Sequence, residues 1–365
     1  MKNILLITIP VSIIFFLLIE NIFHAHPKKP RLLELTGKME TTNTLLNWAE
    51  NEPYFAYSPR SDIDSLDGKY INNYGFISTP DIEMEKDSST IRIVFLGGSS
   101  TAGTGKNLID EETWPWKVSK TLNGKGLKVD FINAACGGFT TFDSFGILWS
   151  KVRFFNPDII VVNHGWNDFG YFHQAIDDLI QFRKNEQNKY EGVKFRGYFE
   201  TYKPLAIDPF IKWSQTFTRL RLLVYNKPGK GEIIFEEEFD TIQIKELQGT
   251  DVFYENLILI KEFGETFHAK VFFCKQPTLI TNDSIDFSKN QEQYRVEFIQ
   301  KRKDDFDLIY EIIDSVAEPN QIIDLRKLSG VEAYFWDHIH PSPQGTDEIA
   351  SIVVDSLINN YFSKQ

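Results

Sequence analysis

The chain has 365 residues, a formal net charge of −12 and 42% hydrophobic residues, enough for one sizeable core with appendages. The acidic balance excludes a general nucleic-acid partner, which needs a basic face. Two cysteines, Cys136 and Cys274, exclude a disulfide framework and argue against a cysteine-based zinc site.

Residues 4–19 are apolar apart from Thr8, Pro10 and Ser12, with Lys2 ahead of them and no small-x-small cleavage site behind. This pattern predicts an uncleaved signal anchor over residues 1–26, with a cleaved signal peptide as the alternative. Either places the rest of the chain outside the cytoplasm, membrane-bound in the first case and secreted in the second. Lys28, Lys29 and Arg31 just beyond the run leave its orientation open. Residues 27–90, punctuated by Pro27, Pro30, Pro53, Pro59 and Pro80, read as a tether and arm. A short amphipathic helix over 32–50 and an extended strand with a turn over 70–76 are expected there.

The segment Ile91-Arg-Ile-Val-Phe-Leu96 has the β-branched, apolar composition of a strand buried on both faces. Gly97-Gly98-Ser99 then makes a sharp turn that lifts a hydroxyl above the sheet edge. A phosphate loop is excluded, because Ser100 stands where its first glycine is needed and Asn107 where its hydroxyl is needed. A helix over 113–122 follows, with Trp114, Val118 and Leu122 on one face. Next come a strand over 129–132, a glycine turn over 133–141, a helix over 142–154 and a strand over 158–162. That strand runs into Asn163-His-Gly-Trp-Asn-Asp168. Residues 172–250 read as an insertion of helices and loops, with residues 232–240 as an acidic, solvated face. Then come a helix over 251–268, a strand over 270–274, a helix over 286–317 and a strand over 321–325. A loop carries Asp337-His-Ile-His-Pro341, and a helix over 344–361 closes the chain. Strands alternating with helices predict an α/β fold with a central parallel sheet.

Four turns follow predicted strands and open at one sheet edge, where such folds bind ligands. They carry Ser99, Gly138, Asn167 and the Asp337–His340 pair. Serine is a weak nucleophile until a base removes its proton. His340 is the candidate base, and Asp337, three residues earlier, is the candidate orienting acid. The amides of Ser99 and Gly138 and the side chain of Asn167 are candidate oxyanion donors. His338 and His340 form a His-x-His pair, but no further ligand cluster accompanies it, so no metal and no cofactor is expected. His164 and His173 flank the third turn and are read as structural, and Cys136 as a packed thiol. Trp166 either walls an acyl pocket or packs.

These blocks resemble those of the SGNH hydrolases, the GDSL esterase and lipase superfamily. Gly97-Gly98-Ser99 matches the first block, residues 133–140 the second, Gly165-Trp-Asn-Asp168 the third and Asp337-His-Ile-His-Pro341 the last. Gly98 departs from the family, which usually has aspartate there. The resemblance covers residues 91–361. It implies a flavodoxin-like three-layer α/β/α fold and metal-free ester or thioester hydrolysis by Ser99, His340 and Asp337. Residues 91–365 would then be the hydrolase domain, and the substrate a lipid, an acylated carbohydrate or a small ester. The alternatives are an O-acyltransferase for a cell-surface polysaccharide, which swaps water for a sugar hydroxyl, and a catalytically inactive binding module.

Overall fold

The computed structural model describes residues 2–25, 49–52, 54–55, 57–59, 63–103, 108–168, 181–184, 190–193, 214–225, 249–281 and 296–364. In chain order its first elements are α1 (Lys2–Ala25), β1 (Ala49–Asn51), β2 (Tyr57–Pro59), β3 (Ser65–Leu66), β4 (Lys69–Tyr70), β5 (Ile91–Gly97) and α2 (Ser99–Ala102). Then come α3 (Trp114–Gly124), β6 (Val129–Asn133), α4 (Thr141–Ser150), β7 (Ile159–Asn163), β8 (Gln181–Lys184), β9 (Tyr190–Val193) and α5 (Gln215–Tyr225). The last are α6 (Gly249–Thr266), β10 (Lys270–Lys275), α7 (Val296–Val316), β11 (Ile322–Asp324) and α8 (Pro343–Asn360). Two compact units form: Met1–Ala49 with Ile180–Ile242, and Glu50–Leu179 with Gln243–Gln365.

The larger unit is built on a five-stranded sheet in the order β11-β10-β7-β5-β6, and every pairing in it is parallel. Counted along the chain, this is the doubly wound order 2-1-3-4-5. Successive side chains on a strand point to opposite faces. Ile93 and Phe95 of β5 accordingly join one core with Trp114, Val118 and Leu122 of α3 and Ile349, Val353 and Leu357 of α8. On the other face, Gly264 of α6 lies directly against Ile160 and Val271, and α6 packs on α4 and α7. The sheet is thus a middle layer between two helical layers. Arg92 is the one charged residue of β5 and is buried. It survives there because Asp130 accepts from its Nε at 2.9 Å and its Nη2 at 2.7 Å, while carbonyls of Met84 and Phe155 take Nη1.

Residues 50–90 lie within this larger unit. The strand and turn expected over 70–76 are present as β4 and an Asn72 turn. The Asn72 carboxamide oxygen accepts from the amides of Tyr74 and Phe76, both at 3.0 Å. Phe76 and Ile77 are buried. The helix expected over 142–154 is shorter: α4 stops at Ser150, and a 3-10 turn, Val152–Phe155, leads into Asn156 in the left-handed region at φ 48°. Residues 49–50, at the end of the expected helix over 32–50, are strand; the rest of that helix lies outside the described residues. So do the acidic run 232–240, His173 and residues 286–295.

In the smaller unit, β8 and β9 pair antiparallel. This corrects the expectation of helices and loops alone over 172–250; Phe182 and Tyr190 supply the aromatic residues strands favour. Glu20 of α1 caps α5, accepting from Ser214 Oγ at 2.7 Å and from the Thr216 amide at 3.0 Å. A carboxylate there meets the unsatisfied amides of a helix N-terminus. Among the described residues no helix is long and apolar enough to cross a membrane, so the anchor expected over residues 1–26 gains no support from them. α1 nevertheless exposes Val11, Ile13, Ile14, Phe15, Leu17 and Leu18.

Candidate active site

β5 ends at Gly97, and the chain turns at once into the single helical turn α2, whose first residue is Ser99. Thr101 anchors this elbow from both neighbouring strands. Asn163, at the end of β7, donates to Thr101 Oγ1 at 3.0 Å, and Asn133, at the end of β6, donates to the Thr101 carbonyl at 3.4 Å. Ser99 therefore sits at the carboxyl edge where the strand order reverses, the place such sheets bind ligands. It is half-buried, whereas Ser100 and Thr101 beside it are buried.

The loop before α8 brings a histidine to this serine. His340 Nε2 lies 2.8 Å from Ser99 Oγ, and His340 Nδ1 lies 2.8 Å from Asp337 Oδ2. The loop closes on itself, with the Trp336 amide donating to the His340 carbonyl at 2.8 Å. It is also pinned to the residues after β10, where Thr278 Oγ1 and the Leu279 amide donate to the His338 carbonyl. Burial alone would raise the Asp337 pKa. Its hydrogen bond from the His340 ring, the charge of that ring and the amides of His340 and Ile339 outweigh burial and hold the carboxyl well below the usual range. An ionised carboxylate only accepts hydrogen bonds, so His340 Nδ1 carries the proton and Nε2 is left as an acceptor facing Ser99.

The second and third turns meet beside the elbow. The Asn167 side chain donates from Nδ2 to the Phe139 carbonyl at 2.8 Å. It also fills the space above Gly98, where an added Cβ would come 2.5 Å from Asn167 Nδ2. The departure at Gly98 thus has a local reason: this chain uses the volume for its asparagine. Gly138 adopts φ +80°, open to glycine at little cost, and a Cβ there would come 2.6 Å from Tyr57 Oη. Tyr57 donates to the Gly137 carbonyl and packs edge-on against Phe139. The structure thus gathers Ser99, His340, Asp337 and Asn167 around one point, with the Gly138 turn beside Asn167.

Other readings resolve as follows. His338 stacks on Trp166, with ring centroids 4.1 Å apart, while both His340 nitrogens face protein partners. Burial pushes the Cys136 thiol up, as it does that of Cys274, so neither is a nucleophile at neutral pH. His164 and Asp168 are buried. His164 Nε2 lies 2.6 Å from Ser144 Oγ, and Asp168 Oδ1 accepts from the amide and hydroxyl of Thr141 at 2.9 and 2.7 Å. Asp168 therefore ties the third turn to the start of α4, just after the Gly138 turn. Two site residues escape a reading of motifs. Gln276 follows β10; its Nε2 donates to Ser100 Oγ at 3.0 Å and its Oε1 accepts from the Trp166 amide at 2.9 Å. Only its place after a predicted strand could have marked it. Tyr57 has no such mark, lying in a proline-punctuated arm.

No family model and no curated protein matches the sequence. Among solved structures, the chain is similar to an acetyl xylan esterase at 16% identity, over 73% of this chain and 100% of that one, with a TM-score of 0.42. It is similar to a lipase/acylhydrolase from Enterococcus faecalis at 19% identity, over 74% and 96%, with a TM-score of 0.41. A GDSL-like lipase from Bacteroides thetaiotaomicron matches at 12% identity, over 76% and 92%, with a TM-score of 0.38. Likeness this distant carries no argument about the reaction.

Proposed function

We propose that this protein is a serine-dependent hydrolase of carboxylic esters, of the SGNH or GDSL type. The observation that carries the reading is the unbroken relay from Ser99 Oγ through His340 to Asp337, with both links at 2.8 Å. In this mechanism Ser99 Oγ attacks the ester carbonyl as His340 Nε2 takes its proton. The oxyanion of the tetrahedral intermediate is held by the amides of Ser99 and Gly138 and by Asn167 Nδ2. Collapse breaks the bond to the alcohol, which leaves with the proton from His340. Water, deprotonated by His340, then attacks the acyl-enzyme and releases the acid and Ser99. Asp337 stays ionised, fixes the tautomer and faces the imidazolium charge.

A small methylphosphonofluoridate should therefore label the protein once, at Ser99, and abolish hydrolysis of p-nitrophenyl acetate. Label on Ser100, or none on folded protein, overturns the assignment.

The apolar N-terminal helix is proposed to tether the hydrolase unit to a membrane, on the side away from the cytoplasm. The exposed side chains of Val11, Ile13, Ile14, Phe15, Leu17 and Leu18 support this, since contiguous exposed apolar surface marks a contact with lipid or protein. Full-length protein should stay with membranes through alkaline extraction and keep its N-terminus. A soluble form beginning near residue 25 to 30 would show a removed signal instead.

A further inference from the structure

A cavity of only about 10 Å³ opens beside Ser99, walled by Ser100, His164, Trp166, Gln276 and Ile339. From these walls we infer that the acyl group of the substrate is acetyl, and that Trp166 and Gln276 set this limit. The inference rests on the ester-hydrolase reading and names its substrate class.

The directions around a bound ester leave one place for the acyl substituent. The carbonyl oxygen has to face Asn167 Nδ2 and the backbone donors. The leaving oxygen has to face His340 Nε2, which returns the proton. The remaining substituent on the carbonyl carbon points into the cavity. A volume of that order holds about one water molecule, and a methyl group is of similar size. Propionyl and butyryl chains would need a wall to move.

The walls are held from behind. Trp166 is stacked on His338, and its backbone amide donates to Gln276 Oε1 at 2.9 Å. Gln276 is buried, donates from Nε2 to Ser100 Oγ at 3.0 Å, and accepts from Tyr310 Oη at its carbonyl at 2.7 Å. Both ends of its side-chain amide are therefore engaged, and swinging it aside would strand buried polar groups. Lining chemistry points the same way. Ser100, His164 and Gln276 are polar, so added methylenes would not reach the apolar surface that rewards their burial.

The reaction balances as an acetyl transfer. The bond from Ser99 Oγ to the acetyl carbon forms while that carbon's bond to the alcohol oxygen breaks. The Ser99 proton passes through His340 to the alcohol. Water then takes the serine's place and acetate leaves.

The test is a chain-length series of p-nitrophenyl acetate, butyrate and octanoate on the full-length protein and on Trp166→Ala. From acetate to butyrate, kcat/KM should fall by at least about tenfold, since one misplaced methylene alone is worth about 10–200-fold. Trp166→Ala should raise the butyrate-to-acetate ratio severalfold. A wild-type fall of less than about tenfold overturns the inference, and so does an unchanged ratio in folded Trp166→Ala. If that variant does not fold, Gln276→Ala takes its place with the same expectation. Failure of the hydrolase reading looks different: no ester is turned over, acetate included, and methylphosphonate does not bind Ser99.

Discussion

Two sets of serine, histidine and aspartate lie in the larger unit, and only one of them is built to react. In the first, His340 Nδ1 is 2.8 Å from Asp337, and both side chains are 23% exposed. In the second, His164 Nδ1 is 3.6 Å from Asp168, and these side chains are 2% and 6% exposed. The serine contact is even shorter in the buried set, 2.6 Å for Ser144 against 2.8 Å for Ser99. Proximity of serine to imidazole therefore does not separate the two. What does is the task of each aspartate and the space beside each serine. Asp337 spends its oxygens on one imidazole and the backbone of its own loop. Asp168 spends one on Thr141, holding two turns together, and Ser144 is fully enclosed. A reactive serine needs a carbonyl-sized opening, and a structural one needs none.

This contrast is open to direct attack. The largest effect should come from Asp337→Asn, which keeps the shape but favours the wrong tautomer and withdraws the charge facing the imidazolium. Turnover of p-nitrophenyl acetate should fall on the order of 10⁴-fold. The same variant has a signature in stability. Because the folded-state carboxyl sits below its ordinary value of 3.8, the stability it lends is present above that pH and is lost as pH falls below it. Denaturant titrations should show a gap between wild type and Asp337→Asn that is constant at neutral pH and narrows below about pH 4.

Asn167→Ala should cost about 10²–10³-fold in kcat, as for one lost oxyanion donor, with little change in KM. The buried set should behave in the opposite sense. Ser144→Ala and Asp168→Asn should each lower stability by about 1–3 kcal/mol, the cost of leaving a buried polar partner unmatched, and change turnover far less than Asp337→Asn does. A loss of activity in folded Ser144→Ala as large as that of Asp337→Asn would reverse the roles of the two sets. The smallest effect is expected from Tyr57→Phe. It deletes one buried hydrogen bond to the Gly137 carbonyl and should cost about 1 kcal/mol, read as a small fall in Tm.

Ser99, Asn167, Asp337 and His340 were all legible in the sequence, because each sits in a short motif directly after a predicted strand. The Asp337–His340 pair is a local matter of three residues and one turn. The supports were not legible. Gln276 meets Ser100 across 176 positions and Tyr57 meets Gly137 across 80, and neither pairing has a periodicity to announce it. Strand order was hidden for the same reason, since register follows from packing between distant segments. β8 and β9 were missed because polar side chains interleave their aromatic residues. The buried set was visible in part: His164 and Asp168 share the third motif, while Ser144 comes from a different helix.

Gly98 also constrains how this chain can change. A side chain at residue 98 and the Asn167 carboxamide compete for one volume, with a Cβ only 2.5 Å from Asn167 Nδ2. Restoring the aspartate of the GDSL signature would displace a flexible side-chain tip, which the fold can tolerate, but that tip is the proposed oxyanion donor. The two positions are therefore coupled in descent. An ancestor could pass between glycine and aspartate at residue 98 without losing activity only if the turn carrying Asn167 had already shifted. Mutational order, and not only residue identity, would decide which variants along that path survive selection.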